Sequence, residues 1–291
     1  MNKSHVYIII AAVFWGTIGI FVKELEKMGL SSMQMVFLRA LVTAACIFIF
    51  ILINDRKKLF ISIRDVWMFI GTGILSFVLF NFCYFTTIRN AGLTTAAILL
   101  YTSPVFVSIF STLLFNEKFT RKKAFALVLS VLGCMLVSGA AGGSNGNVNF
   151  AGIAVGVLSG FGYALYSVFA RYALNKYDTV TVIFFTFLFA AMGAIPFTDM
   201  GSLPLILSSW PNIFKIIATG VITSFIPYIC YTAGLRGIET SRAAVIATIE
   251  PVVAAVIGIS LFDEPIKISI VLGIGAVIFA VFMISGNKPQ E

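Results

Sequence analysis

Long apolar stretches separated by short polar loops dominate the sequence. None shows the period-two alternation of a barrel strand, and each is long enough for a helix that crosses most of a bilayer. Because backbone amides cannot remain unpaired in hydrocarbon, the pattern predicts membrane-spanning helices. Ten are predicted, at residues 6–22, 33–53, 66–88, 93–115, 124–139, 153–174, 180–197, 213–235, 243–262 and 268–285.

The lysines and arginines are divided unequally between the two sides of this predicted bundle. With the N-terminus on the inner side, most of them fall in inner loops, including clusters at residues 56–64 and 118–123. Membrane proteins retain positive loop charge on the cytoplasmic side. We therefore expect a multi-pass protein of the cell membrane with both termini in the cytoplasm.

The two halves of the chain match each other at an offset of 147 residues, the separation of Pro104 from Pro251. Coincident polar and helix-breaking positions indicate a duplication rather than chance similarity between apolar helices. The predicted repeats are residues 1–141 and 150–291, joined by a flexible Gly/Ser/Asn-rich linker at 142–149. Further matched pairs are Tyr84 with Tyr231, Arg89 with Arg236, and Glu117 with Glu264.

Each predicted repeat contains five spans, an odd number, so the second copy would enter the membrane upside down. The sequence thus predicts an all-α integral membrane protein with ten transmembrane helices in two inverted five-helix repeats. Inverted repeats are a common plan of secondary transporters, because two halves of opposite orientation can expose a midplane site to either side in turn.

Composition narrows the possible functions. The chain is 59% hydrophobic and 11% charged with a net charge of +8, and attraction of the basic loops to anionic lipid explains that charge better than nucleic acid does. The four cysteines lie in apolar stretches without metal-ligand spacing, and the one histidine is His5, so neither a metal nor another cofactor is expected. An enzyme is not expected either, because Glu250 alone among the acids inside spans cannot form a catalytic pair.

Short motifs in both halves resemble one family of transporters. In order along the chain they are Phe14-Trp15-Gly16, Phe37-Leu38-Arg39, Ser103-Pro104-Val105, Leu114-Phe115-Asn116-Glu117, Gly162-Tyr163 with Tyr166, Ile249-Glu250-Pro251-Val252, and Leu261-Phe262-Asp263-Glu264. Together they make the chain similar to an EamA-type member of the drug/metabolite transporter superfamily. The resemblance covers essentially the whole chain.

The resemblance implies a secondary transporter with a central cavity lined by spans three, four, eight and nine and by parts of one and six. It also implies that the substrate is often an exported amino acid or related metabolite. The chain departs from the family at Gly162-Tyr163, where the family often has a Trp-Ala or similar pair.

Glu250 is the leading candidate for the substrate site. It lies about eight residues into its span, which at 1.5 Å per residue is about 10–12 Å deep. Ionisable groups at that depth are costly and mark functional sites. We expect Glu250 to pair with a substrate amine or to exchange a proton; the alternative is a carboxyl that only hydrogen-bonds between helices.

Ser103 occupies the matching position in the first half, which predicts a site charged on one wall only. Tyr101 and Thr102 are candidates for further hydrogen bonds, although hydroxyls in membrane helices often bond their own preceding carbonyls. Pro104 and Pro251 are expected to break their helices at this depth and to take part in gating.

Arg39 is the basic residue predicted well inside a span. It is expected to meet a substrate carboxylate or Glu250, and the alternative is snorkelling or a bond to a loop carbonyl. Amphipathic side chains suit a partly apolar substrate, although interface belts or core packing also use them. The candidates of this kind are Trp15, Asn81, Tyr84, Tyr163, Tyr166, Tyr228 and Tyr231.

Glu117 and Glu264 follow the fourth and ninth predicted spans. We expect each to lie at the N-terminus of the helix that follows it, because unpaired amides there favour a carboxylate.

These features predict a secondary transporter that exports amino acids or related amphipathic solutes by alternating access. The alternative is a proton-coupled exporter of lipophilic cationic drugs, held by Glu250 among aromatic rings. A phosphate-ester antiporter would need several intramembrane cations, and a receptor or scaffold has no reason to keep inverted halves. The expected partners are a small-molecule substrate, membrane lipid and candidate coupling protons, for a monomer or homodimer.

Overall fold

A computed structural model describes residues 3–139 and 150–285. The predicted linker at 142–149 and the chain ends lie outside the described residues. The described residues form ten long helices and no strand. They are α1 (Lys3–Lys27), α2 (Ser32–Asn54), α3 (Ile63–Ala91), α4 (Leu93–Phe115), α5 (Arg121–Val137), α6 (Phe150–Leu174), α7 (Thr179–Phe197), α8 (Trp210–Leu235), α9 (Thr240–Leu261) and α10 (Ile268–Ser285).

Nine of the described helices have at least 18 residues and are apolar enough to cross a membrane. The remaining one, α5, has 17 residues, which is about 26 Å of helix at 1.5 Å per residue. It packs along α10. The chain is therefore an all-helical, multi-pass membrane protein with nine or ten spans, where the sequence predicts ten.

Polar caps determine where several helices begin. Ser31 and Gln34 form a capping box at the start of α2, and the side chains of Thr120 and Asp178 accept amide hydrogen bonds at the starts of α5 and α7. These oxygens satisfy amides that the first helical turn leaves unpaired. These caps lie in the loops and determine where α2, α5 and α7 begin.

Helices α4 and α9 are each interrupted near the middle. Each is divided into two segments: α4a (Leu93–Leu100) and α4b (Ser103–Phe115), α9a (Thr240–Ala247) and α9b (Ile249–Leu261). Pro104 is the second residue of α4b, and Pro251 is the third residue of α9b. Proline has no amide hydrogen and clashes with the preceding turn, so both helices break where the sequence predicts a break.

Helices α3 and α8 share a second irregularity. Each widens into π-helical turns, at Gly71–Val78 in α3 and at Val221–Phe225 in α8. At the repeat offset, residues 74–78 are equivalent to residues 221–225. Because π-helical turns are rare and are often found at functional sites, their equivalent placement is strong evidence that the two halves share a common backbone plan.

The two halves contact each other through these π-helical segments. Helix α2 packs against the segment in α8, and helix α7 packs against the segment in α3. On α7, the hydroxyl of Thr186 lies 2.6 Å from that of Thr72 on α3. The position on α2 equivalent to Thr186 is Arg39. The two equivalent contacts between the halves therefore differ, because neutral hydroxyls join α7 to α3 and a cation joins α2 to α8.

The central core combines residues of both halves. Its buried members include Trp15 on α1, Tyr166 on α6 and Tyr228 on α8. Large apolar side chains such as Leu113 and Phe282 are exposed on the outside of the bundle, where lipid is as apolar as they are. Among the polar candidate residues, Arg39, Asn81 and Ser103 are also buried.

Candidate functional site

Glu250 lies in the first turn of α9b, directly after the break in α9. Its Oε2 accepts a hydrogen bond of 3.2 Å from the Tyr163 hydroxyl on α6. The side chain is half-buried, and no described residue forms a salt bridge with it. A carboxylate has about four lone-pair sites, so most of its capacity to accept hydrogen bonds remains available for a ligand or a proton.

Ser103 holds the equivalent position, in the first turn of α4b. Its side chain is buried. The neighbouring Thr102 hydroxyl donates to the Leu99 carbonyl at 2.6 Å. A bond of this kind to a preceding carbonyl was the alternative to a role in the substrate site. The two breaks therefore present a carboxylate on α9 and a neutral surface on α4.

Trp15 joins aromatic rings of α1, α6 and α8 into one cluster. Its ring centroid lies 5.2 Å from those of Tyr228 and Tyr231 and 6.2 Å from that of Tyr163. The ring of Tyr166 lies 4.9 Å from Tyr228. These spacings are typical of favourable aromatic pairs. Through Tyr163 the carboxylate of Glu250 is therefore continuous with an aromatic wall.

The tyrosine hydroxyls of this region fall into two groups. Tyr166 and Tyr231 are buried and share hydrogen bonds with hydroxyls across the contact between α6 and α8. Tyr84 and Tyr101 are half-buried, and their hydroxyls have no hydrogen-bond partner among the residues the structure describes. The first pair holds helices together, whereas the second pair remains available to a solute.

Arg39 is buried on α2 and is bonded to the π-helical segment of α8. Its Nε donates to the Ser224 hydroxyl at 3.0 Å and its Nη2 to the Thr223 carbonyl at 3.2 Å. The guanidinium carbon lies 5.8 Å from the Phe77 ring centroid. Among the described residues Arg39 forms no salt bridge with Glu250, which was one of the contacts that the sequence left open. Its guanidinium is instead bonded to an irregular helical turn.

Asn81 and three phenylalanines complete the surroundings of the site. Asn81 is buried and donates to the carbonyl of Phe77, four residues earlier, at 2.7 Å. Phe80 packs 5.2 Å from Tyr163, and Phe187 packs 4.9 Å from Tyr228. The sequence singled out none of these phenylalanines, because 29 are present. The spacing of Phe80 one helical turn before Tyr84 was an available signal.

Glu117 corrects one sequence expectation. Its carboxylate accepts hydrogen bonds from the backbone amides of Thr240 and Ser241 and from the Ser241 hydroxyl, at the start of α9a. Thr120 caps α5 instead, so the expectation that Glu117 caps the helix following it was wrong. The chain turns at Asn116, whose φ is 54°, and directs Glu117 toward the other half. The end of α4b therefore meets the start of α9a.

Comparison with known proteins assigns both halves to one family. The EamA-like transporter family matches residues 2–139 and again residues 150–286. The match covers nearly the whole chain and repeats once, as the internal sequence similarity does.

Similar proteins include an uncharacterized transporter of Archaeoglobus fulgidus, which is 27% identical over 99% of this chain and 98% of its own length. The uncharacterized transporter YxxF of Bacillus subtilis is 26% identical over 88% of this chain and 81% of its own. The pseudopaline exporter CntI of Pseudomonas aeruginosa is 28% identical over 76% of this chain and 75% of its own. The crystal structure of another protein matches this chain with a TM-score of 0.79 and 17% sequence identity. The match covers 96% of this chain and 95% of the other and shows a shared fold.

Proposed function

The chain belongs to the EamA-like transporter family and is a secondary transporter of small molecules. We propose that it exports amino-acid-like metabolites whose protonated amine binds Glu250. The observation that carries this proposal is the state of that carboxylate. It is half-buried at a helix break, and among described residues the hydrogen bond from Tyr163 is its one direct polar contact. An ammonium group is the ligand that best matches such an anion in a low-dielectric site.

The surroundings of Glu250 favour an amphipathic solute. The rings of Trp15 and Tyr163 offer faces to a cation and edges to a hydrocarbon group. The hydroxyls of Tyr84 and Tyr101 lack partners among the described residues and can donate to a substrate carboxylate. An amine, a short apolar group and a carboxylate together describe an amino acid or a close relative.

The transport mechanism we propose is alternating access by two inverted five-helix repeats, residues 1–141 and 150–291, joined by a linker at 142–149. Three features support it: the equivalent breaks in α4 and α9, the equivalent π-helical segments in α3 and α8, and the contact of the end of α4b with the start of α9a. That contact is what equivalent helices running in opposite directions would make. The distribution of the basic loops supports the further proposal that both termini lie in the cytoplasm and that the protein resides in the cell membrane.

Efflux is the proposed direction of transport. The similarity to a protein named as a pseudopaline exporter supports this direction. Export could be driven by the solute gradient or by protons, because protonation of Glu250 would remove the charge that holds the amine.

The second candidate function is export of lipophilic cations. The continuous aromatic wall around Trp15, Tyr163 and Tyr228 favours it, since aromatic faces bind quaternary cations. The two candidates differ in what they need from the ligand. An amino-acid site requires an amine that donates hydrogen bonds, whereas a drug site requires only positive charge and apolar surface.

A thermal-shift screen of the purified protein separates the two. Amino acids, primary amines without a carboxylate, and quaternary amines of matched size should be compared at equal concentration. We expect the melting temperature to rise with amino acids and primary amines in the native protein and not in Glu250→Gln. Stabilisation by quaternary amines alone would favour the drug exporter, and stabilisation that persists fully in Glu250→Gln would refute binding at this carboxylate.

A further inference from the structure

Glu117 and Glu264 are delivered by equivalent turns in the two halves. The residues before them, Asn116 and Asp263, have positive φ values of 54° and 52°. Their own amides donate to equivalent carbonyls, Glu117 to Ser111 at 3.2 Å and Glu264 to Gly258 at 3.1 Å. The backbone therefore presents the two carboxylates in the same way, each at the end of a broken helix.

The environments of the two carboxylates differ. Glu117 is held by the first two residues of α9a, and all eight residues of that segment are buried. Glu264 is exposed and its carboxylate has no hydrogen bond or ion pair with any residue in the described ranges. Among the described residues, a carboxylate thus bridges α4b and α9a at one end of the bundle, and no equivalent bridge joins α9b to α4a at the other end.

The repeat offset identifies the missing partner of Glu264. The residues equivalent to Thr240 and Ser241 are Leu93 and Thr94, which begin α4a. Leu93 is 62% exposed. The first amides of a helix have no partner within it, and Thr94 supplies a hydroxyl where Ser241 supplies one. Each donor that binds Glu117 therefore has a counterpart at the start of α4a.

We propose that Glu264 is a gate residue that binds the Leu93 and Thr94 amides and the Thr94 hydroxyl when Glu117 releases α9a. The two carboxylates would then close opposite ends of the pathway in turn. This inference rests on the alternating access of the proposed function, and it names the groups that form and break contact. It also assigns the present structure to the state closed at Glu117.

Charged neighbours make the two closures unequal. Beside Glu117, the Lys123 ammonium lies 2.9 Å from Glu239, and Glu239 also pairs with Arg242. The equivalent positions are Ile270, Gly92 and Thr95, which carry no charge. The Glu117 closure therefore has ionic support that the Glu264 closure lacks, which favours the state closed at Glu117.

Distances measured between paired spin labels test the exchange directly. One pair, at Lys118 and Arg236, reports on the Glu117 end; the equivalent pair, at Pro265 and Arg89, reports on the Glu264 end, and all four positions are exposed. Each pair is introduced into a chain without native cysteines, in detergent or nanodiscs. The backgrounds are the native gate residues, Glu117→Gln, Glu264→Gln and both together.

In the native background we expect a short distance for the first pair and a long one for the second. Glu117→Gln should raise the population with the opposite pattern about tenfold, since hydrogen bonds to a charged acceptor are weakened. Adding Glu264→Gln should reverse that rise, because the alternative closure is weakened as well. Glu26→Gln is the matched control and should change neither distance, because Glu26 is exposed and its side chain has no hydrogen bond or ion pair with any described residue.

Two results would overturn the inference: an unchanged distribution in Glu117→Gln, or an exchanged population in Glu117→Gln that the second substitution leaves intact. The latter result would keep alternating access and remove Glu264 from it. Ligand-induced thermal shifts in the same variants keep the tests separate, because they report on Glu250 and not on the gate. A variant that loses monodispersity is replaced by Glu117→Asp, whose shorter side chain should give the same direction of exchange.

Discussion

The breaks in α4 and α9 have the same geometry and different chemistry. Each break is followed by a proline in the first turn of the next segment, but the residue before that proline is Ser103 in α4 and Glu250 in α9. Duplication supplied the backbone twice, and divergence placed a charge on one wall only. Under the proposed function, one repeat provides the binding charge and the other closes over the same solute.

The first segments of the same helices, α4a and α9a, differ in a second way. Segment α9a is buried throughout, whereas α4a begins with the exposed Leu93. Here the equivalent donors are present in both halves, so the difference reflects conformation more than chemistry. An internal repeat therefore lets one structure indicate both of its end states.

The largest effect expected from this comparison is the loss of transport in Glu250→Gln. Removing the charge should reduce solute counterflow in proteoliposomes by at least about 100-fold, since a buried charge pair is worth several kcal/mol. Ser103→Ala, at the equivalent neutral position, should change flux by less than about threefold. The purified variants should remain folded and monodisperse. Undiminished flux in Glu250→Gln would remove the functional difference between the two breaks.

The π-helical segments give the next largest contrast, in stability. A Cβ atom at Gly73 would lie 2.5 Å from the Thr186 carbonyl oxygen, whereas one at the equivalent Gly220 would meet the side chain of Val42 at 2.6 Å. Backbone cannot move aside as a side chain can, so Gly73→Ala should destabilise the protein by about 2–3 kcal/mol and Gly220→Ala by about 1 kcal/mol. Thermal unfolding in detergent measures both. Equal losses would show that the two helix contacts are equally tight.

Tyr163→Phe tests how much the hydrogen bond from Tyr163 to Glu250 contributes to solute binding. It removes the 3.2 Å hydrogen bond to Glu250 and should weaken solute binding about tenfold, the effect of one hydrogen bond to a charged group. Tyr166→Phe is the matched control, because its hydroxyl bonds Thr232 instead. That control should lower the melting temperature and leave the dissociation constant nearly unchanged. The reverse pattern would mean that Tyr166, not Tyr163, orients the binding carboxylate.

The smallest effects are expected at the prolines. Pro104→Ala and Pro251→Ala restore an amide hydrogen at each break and should slow turnover several-fold while altering binding less. Turnover and affinity are separated by comparing maximal flux with the dissociation constant. If maximal flux and affinity change in proportion, the breaks shape the binding site and do not act as hinges.

Much of this structure was predictable from the sequence, and the reasons are local. Apolar length and the matched Pro104 and Pro251 predict the helices and their breaks, because both depend on short-range chemistry. The partners of Arg39 and Glu117 were not predictable in the same way. Each reaches a residue more than a hundred positions away, and only the packing of one half against the other determines which.

The phenylalanines show a different limit. Phe80 and Phe187 contact Tyr163 and Tyr228. In the sequence they cannot be distinguished from phenylalanines on the outside of the bundle, such as Phe282. A polar residue in a membrane helix draws attention because it is costly there, whereas an apolar residue is expected everywhere. The sequence therefore indicated the polar half of the site better than its apolar half.

The inverted arrangement of the two repeats is the claim on which the mechanism depends, and cysteine labelling of intact cells tests it most directly. Lys118→Cys and Pro265→Cys occupy equivalent exposed loops and would each be placed in a chain without its four native cysteines. A membrane-impermeant maleimide should label position 265 in intact cells and position 118 only after permeabilisation. Labelling of both positions from the same side would mean that the repeats are parallel and would contradict alternating access around Glu250.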